Sequence, residues 1–333
     1  MRTYASVLFV MLTIVAASAA GPAPKYKAPR TENNQPDLQG VWNFSSNVPL
    51  QRPAGAADRK FFTPEEFAAR KSSRAKALAM ISRFAPVEAV SLDWLETSGR
   101  LEDLRTSIIT YPENGRLPDL VDGVRRSPSP DEIIGALAEG GGLPPDLAAF
   151  LAPSKKDGPE DLDAAGRCLS GGGPPYTPDI DNHFVQIIQA RDHVVLRGEI
   201  YSRIVPLDGR PPVSGKLRSW AGDSRGHWEG ETLVVETRNF NRRTRSFAGA
   251  GNSLEKVVTE RFTRTSSNTL EYEATIVDPK TFQDKVAFSM PVPKVDVQLY
   301  EWACHEGNYS MSNTLSAARK EELQAAKKET PLN

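Results

Sequence analysis

The chain has 333 residues, 41 of them basic and 42 acidic, for a formal net charge of −1 at pH 7. That length can bury one large core or two smaller ones. Charges of both signs are mixed along the chain as on an ordinary solvated surface, and nothing in them suggests the basic surplus on one face that a nucleic-acid partner would need, so none is expected.

The first twenty residues have the form of an export signal: Arg2 opens it, an apolar run from Val7 to Val15 is interrupted only by Thr13, and Ala17-Ser18-Ala19 fits a small-x-small cleavage site. The run falls short of the ~20 apolar residues that span a bilayer, no later stretch approaches that length, and no cysteine follows it to carry a lipid. A buried N-terminal helix is the alternative, but Gly21-Pro22-Ala23-Pro24 would leave it docked on nothing. The expected location is therefore periplasmic or secreted, with no membrane span.

Residues 21–36 are a Pro-rich, polar lead-in. Leu38, Val41, Trp42 and Phe44 predict a first strand after a turn at Gly40. "FFTPEEF" announces a helix, with Thr63 as N-cap, Pro64 at the first helical position and Glu66 completing a capping box. That helix is predicted to run to about Ile81, with a second helical piece over Ser91 to Leu104. "SIITYPENGRLPDL" reads as a β-hairpin around Asn114-Gly115. Residues 112–178 contain eleven Gly and eleven Pro in 67 positions, a density that rules out continuous regular structure. They are expected to form long surface loops or a lid, with short helices after Pro130 and Pro145.

From about residue 182 the pattern becomes strands: "NHFVQIIQ", "DHVVLRGEIYSRIVPL", "HWEGETLVVETRNF", "EKVVTERFTRT", "TLEYEATIV", "QDKVAFSM" and "VQLYEW", joined by short polar turns. Leu270, Tyr272, Ala274 and Ile276 alternate with Glu271, Glu273 and Thr275. Evenly spaced strands with tight connections predict an antiparallel meander closed into a barrel or folded into a sandwich. The chain ends in an amphipathic helix from about Ser312 to Lys327. The fold class expected is mainly β (α+β): an antiparallel barrel or curved sheet with N-terminal helices, a Gly/Pro-rich loop segment and a C-terminal helix. In chain order this gives a signal (1–20), an N-terminal strand plus helices (21–111), a loop or lid segment (112–178), an antiparallel β domain (179–310) and a helix with tail (311–333), residues 21–333 forming one compact unit.

"PDLQGVW", "PLQRP…FFTPEEF", "TSIITYPENGRLP", "IVPLDGRP", "WAGDSRGHWEGETLVVETRNF", "VTERFTR", "LEYEATIVDPKTF" and "YEWACHEGNY" together resemble, in order, the successive motifs of a large family of exported bacterial proteins. The resemblance covers nearly the whole chain after the signal and departs from the family in residues 130–165, which look like an expanded loop. It implies export but supplies no reaction. The G-x-W strand is also similar to the opening of lipocalin-type barrels.

The segment "YEWACHEGNYSM" concentrates chemistry. His305-Glu306 begins like the zinc-protease motif H-E-x-x-H, yet Tyr309 stands where the second histidine should be. Two imidazoles one helical turn apart are what hold that metal, so no metal and no cofactor are expected. A His–Glu pair can still move protons, since histidine titrates near neutrality. The plainer reading is that His305 and Asn308 hydrogen-bond a turn. "GDSRG", residues 222–226, fits G-x-S-x-G, but a hairpin follows where a nucleophile elbow needs a helix. Asp223, Ser224 and Arg225 then read as a turn, from which Arg225 could reach an anion. In "GEIYSRIVPLDG", Glu199, Tyr201 and Arg203 fall on one face of a strand, as lumen-facing or solvated polar residues would. Glu260 and Arg264 share a face in "VTERFTR", where Glu260 reads as half of a cross-strand ion pair. Trp42, Trp220, Trp228, Tyr272, Tyr300 and Trp302 sit on separate motifs and converge on a pocket or a core. Cys168 and Cys304 are either one disulfide, as export permits, or two separate thiols.

The leading expectation is an exported small-molecule pocket protein with metal-independent acid–base chemistry of lyase, cyclase, isomerase or hydrolase type. In it His305, Glu306, Asp223 and Glu199 carry the proton chemistry, while Arg225, Arg203, Tyr201, Trp220, Trp228, Asn308 and Tyr309 hold a small organic substrate. The alternative is a lipocalin-like binding protein without turnover, and a third reading is a structural envelope protein.

Overall fold

The computed structural model describes residues 26–84, 101–127, 156–162, 164, 166–169, 172–178, 184–244, 246–300, 303–306 and 308–329. The export signal, most of the second helical piece, the helices expected after Pro130 and Pro145, and Trp302 lie outside these residues. Ten strands occur among them. They are β1 (Gly40–Asn43), β2 (Ile109–Tyr111), β3 (Phe184–Gln189), β4 (His193–Gly198), β5 (Ser202–Pro206), β6 (Asp223–Glu229), β7 (Thr232–Arg238), β8 (Val257–Arg264), β9 (Thr269–Val277) and β10 (Val286–Val295). Two α-helices, α1 (Pro64–Phe84) and α2 (Tyr309–Glu329), accompany them.

Nine strands form one antiparallel path in the order β5-β4-β3-β1-β10-β9-β8-β7-β6, and β2 pairs with β10. The two ends of the path meet. A Cβ placed on Gly226 of β6 would lie 2.8 Å from the side chains of Val205 in β5 and of Leu207 just beyond it. Only a residue without a side chain lets the strands come so close. The result is a nearly closed, lipocalin-like barrel of nine strands, which is the mainly β architecture expected from the strand periodicity.

Period-two alternation builds the interior. Along β8 and β9 every second residue is buried, and the register places Phe262 opposite Tyr272 and Val258 opposite Ile276. Trp42, Phe44, Phe262, Tyr272, Phe288 and Met290 fill the barrel, and the Trp42 indole N–H donates to the Leu38 carbonyl at 2.8 Å. Burial of such side chains stabilises by about 1.5–3 kcal/mol each. Prolines are tolerated inside β10 for a geometric reason. Ser289 N–H points to the β2 side, donating to Ile108 O at 3.0 Å, whereas Lys294 N–H points to the β9 side, donating to Asn268 O at 2.9 Å. By alternation Pro291 and Pro293 share the orientation of Ser289. They fall between the β2 and β1 pairings, where no ladder bond is required of them.

Three local expectations change. "DHVVLRGEIYSRIVPL" is not one strand but the hairpin β4–β5. Gly198 N–H donates to Tyr201 O at 2.9 Å, and the register sets Leu196 opposite Arg203 and Val194 opposite Val205. The fold-back lets two short apolar clusters share one inward face, and it puts Glu199 in the turn and β5 at the end of the path. "SIITYPENGRLPDL" does turn at Gly115, whose φ is +69°. Its first arm pairs with β10 instead of its second arm, and Arg52 N–H takes the Gly115 carbonyl at 2.8 Å. Val297–Tyr300 of "VQLYEW" lie outside any strand, because β10 ends at Val295.

At the start of α1 the capping box closes as the spacing predicts. Thr63 Oγ1 accepts from Glu66 N–H at 3.2 Å and Glu66 accepts from Thr63 N–H at 2.9 Å. Among the described residues no helix is long and apolar enough to cross a membrane.

Candidate functional site

The alternation of β8 turns Glu260 and Arg264 into the barrel together with Val258 and Phe262. A carboxylate inside a hydrophobic barrel is costly unless it is paired. Arg203, projecting inward from β5, supplies the partner with a two-pronged contact: Nη1 to Glu260 Oε2 at 2.6 Å and Nη2 to Oε1 at 2.9 Å. The side chains are 3% and 0% exposed. Tyr272 of β9 donates its hydroxyl to Glu260 Oε1 at 2.8 Å. Below the pair, Thr237 Oγ1 lies 3.4 Å from Arg203 Nη1 and 2.9 Å from the hydroxyl of Ser224.

A loop completes the cluster. Tyr176 comes from the Gly/Pro-rich segment, and its backbone N–H donates to Tyr272 Oη at 2.9 Å. Its ring packs 4.8 Å from that of Phe44, stacks 5.8 Å from that of Tyr201 and lies under the Arg203 guanidinium at 5.1 Å. Upstream, Gly173 threads between the Trp220 carbonyl and Thr244, where a Cβ would meet them at 3.3 and 3.5 Å.

The electrostatics follow from burial. Desolvation raises the tyrosine hydroxyls: Tyr176 goes up, while Tyr201 and Tyr272 go well above the usual phenol range, with Tyr176 adding to the effect on Tyr201 and Glu260 to that on Tyr272. Desolvation opposes the charge of Arg203, but Glu260 and Tyr176 outweigh it and hold the guanidinium protonated, its pKa well above the ordinary arginine value. Glu260 already accepts three hydrogen bonds from Arg203 and Tyr272, so it is poorly placed to take a proton from a substrate. Two polar atoms stay unused. Arg203 Nε and Tyr176 Oη are buried without closing a hydrogen bond of good geometry, although Arg203 and Tyr201 stand close enough to the Tyr176 hydroxyl to pull against its upward shift; such groups call for a water or a ligand.

Of the residues singled out in the sequence, Tyr201 and Arg203 meet in this cluster. Trp228 packs half-buried against the core with its indole N–H buried and unpartnered, and Trp220 is half-buried with its carbonyl bonded to Thr244 Oγ1 at 2.8 Å. Glu199, in the β4–β5 turn, accepts from Phe184 N–H at 3.2 Å. Asp223 and Arg225 form a 2.5 Å ion pair on β6. They hold the loop after β5, through Val213 N–H to Asp223 at 2.9 Å and Arg225 Nε to Pro211 O at 3.2 Å. Ser224 is buried in a strand, not exposed on a sharp turn.

The described residues of the "YEWACHEGNYSM" segment hold a loop and the start of α2. Cys168 and Cys304 form a disulfide, with Cα atoms 5.7 Å apart. Asn308 donates to Gly166 O and Cys168 Sγ, both at 3.1 Å, and its side-chain oxygen accepts from Met311 N–H at 3.4 Å at the start of α2. His305 and Glu306 are exposed in the turn, and Tyr309 is exposed at the first position of the helix. No hydrogen bond or ion pair among the described residues joins His305 to Glu199, Asp223 or Arg225. Sequence reasoning did not mark Tyr176 or Thr237. Tyr176 lies in a segment without periodicity, and Thr237 is one small polar residue in an apolar strand.

No protein-family model matches the chain, and no curated protein or solved structure matches it either.

Proposed function

We propose that the protein is an exported, lipocalin-like binding protein for a small neutral organic molecule. The ligand takes the place of Tyr176 at the end of the barrel and presents a carbonyl or hydroxyl oxygen to Arg203. One observation carries this reading: Arg203 Nε is buried without a partner inside an aromatic cluster. Glu260 already neutralises the guanidinium, so a neutral oxygen suits the spare N–H better than an anion, which would need a second positive charge. The rings of Phe44, Tyr201 and Tyr272 offer the apolar remainder of a pocket. Export is supported by the form of residues 1–20 and by the Cys168–Cys304 disulfide, which suits an oxidising compartment. The turn bearing His305 and Glu306 is exposed and supplies nothing in favour of acid–base chemistry.

The test is native mass spectrometry of the protein isolated from its own cell envelope, followed by solvent extraction. One oxygen-bearing organic molecule per chain, released on denaturation, is the expected result. A bare chain that also fails to take up a neutral aromatic probe such as N-phenyl-1-naphthylamine would overturn the proposal.

A further inference from the structure

A second charged pair occupies the inner face of the barrel at the start of β8, its lysine four positions before Glu260. Val257 pairs with Val277 at the edge of the β8–β9 ladder, so the next residues outward, Lys256 and Asp278, stand opposite each other. Alternation gives them the inward face of Val258 and Ile276, and both are buried, at 3% and 2% exposure. They do not close on each other. Asp278 Oδ2 accepts from Ser253 N–H at 3.1 Å, and Oδ1 is buried with no partner. The Lys256 ammonium lies 4.0 Å above the centre of the Phe240 ring, and among the described residues it makes no hydrogen bond or ion pair. In the loop entering β8, Asn252, next in the chain to the Ser253 that bonds Asp278, spends its amide N–H on Asn241 O at 2.9 Å and leaves Oδ1 buried without a partner.

An ammonium in such a place gains little from its charge, and losing the proton relieves the cost of burial. Desolvation accordingly pulls Lys256 down to about 8, with Asp278 opposing only in part. A neutral amine in an apolar setting is the form that attacks carbonyl carbon. Two oxygens around the lysine's strand end, Asp278 Oδ1 and Asn252 Oδ1, are acceptors without a donor.

We propose that Lys256 is the nucleophile of a second site, which captures a small aldehyde or ketone as a Schiff base, with Asp278 carrying the proton. The Lys256 nitrogen lone pair forms the C–N bond while the carbonyl π pair moves to oxygen. Asp278 takes a proton from nitrogen and returns it to that oxygen, giving a carbinolamine whose hydroxyl donates to Asn252 Oδ1. The second nitrogen proton then leaves with the hydroxyl as the C–O bond breaks, so one water and one imine form and no electrons are exchanged. The site is independent of whether the Arg203 end of the barrel binds a ligand.

The test treats the folded full-length chain at pH 7 with propanal and cyanoborohydride, which reduces an imine to a stable amine, and follows each lysine by peptide mass mapping. Lys256 is expected to be alkylated at least about tenfold faster than exposed Lys280, because a far larger fraction of it is neutral. Labelling of Lys256 no faster than Lys280 in the folded chain, with equal labelling of both in urea, would overturn the proposal. In a folded Asp278→Asn variant the Lys256 rate per neutral amine, with the neutral fraction taken from the pH dependence of labelling in each protein, is expected to fall about fivefold while that of Lys280 holds. An unchanged rate per neutral amine removes Asp278 from the mechanism.

Discussion

Arg203–Glu260 and Lys256–Asp278 are both buried charge pairs on the inner wall of one barrel, the first reaching the middle of β8 and the second flanking its first residue. The first is closed: two Arg–Glu contacts and a tyrosine hydroxyl leave the carboxylate satisfied. The second is open, with opposite charges that do not touch and an acceptor atom with nothing to accept. The closed pair joins β5, at one end of the strand path, to β8, two strands short of the other end, and acts as a staple across the interior. The open pair does nothing comparable for the fold, which is why chemistry is assigned to it. Burial is common to the two pairs; the count of satisfied hydrogen bonds is what separates them.

The contrast can be broken most sharply at the closed pair. Glu260→Gln leaves the Arg203 charge buried without its counter-ion and is expected to cost about 3–5 kcal/mol in urea unfolding. The double variant Arg203→Met, Glu260→Leu should lose clearly less than that single change; a double variant as unstable as the sum of both singles would show that the pair is not one unit. At the open pair the expected signature is pH dependence. Below pH 8 Lys256 is charged in the folded and unfolded chain alike, so folding bears the full cost of burying the charge. Between about 8 and 10.5 the unfolded chain holds the proton that the folded chain has lost, so stability rises with pH. Relative to Lys256→Met, the wild type should gain about 3 kcal/mol across that window, and parallel pH curves would place Lys256 in an ordinary ionised state. A smaller effect is expected next to the closed pair, where Ser224→Ala removes the hydroxyl facing Thr237 and should cost about 1 kcal/mol. The smallest is His305→Ala, expected to leave stability within about 0.5 kcal/mol because the side chain is exposed.

The strands were legible because period-two alternation survives in single segments: Leu270, Tyr272, Ala274 and Ile276 could be put on one face before any partner was known, and all four are buried. Glu260 and Arg264 were legible in the same way. The partner of Glu260 was not, since Arg203 lies 57 positions earlier and reaches it across the barrel, a relation no local pattern encodes. The β4–β5 turn was hidden because Glu199-Ile200-Tyr201 contains no Gly-Asn or Pro signal and continues the apolar alternation on both sides. Lys256 looked like one of many charges at a strand end; only the pairing with β9 shows that it points inward. In "ACHEGNY" the structure shows local contacts. Its cysteine forms the disulfide to Cys168, and its asparagine binds the neighbouring loop and caps α2.

The most direct discriminator between barrel interior and exposed turn is the affinity of N-phenyl-1-naphthylamine for the wild type, Tyr176→Ala and His305→Ala, read by fluorescence titration. Removing the Tyr176 ring should open the Arg203 end and tighten binding at least about tenfold, while His305→Ala binds as the wild type does. Loss of binding in His305→Ala, with Tyr176→Ala unchanged, would place the ligand at the turn and contradict a site inside the barrel.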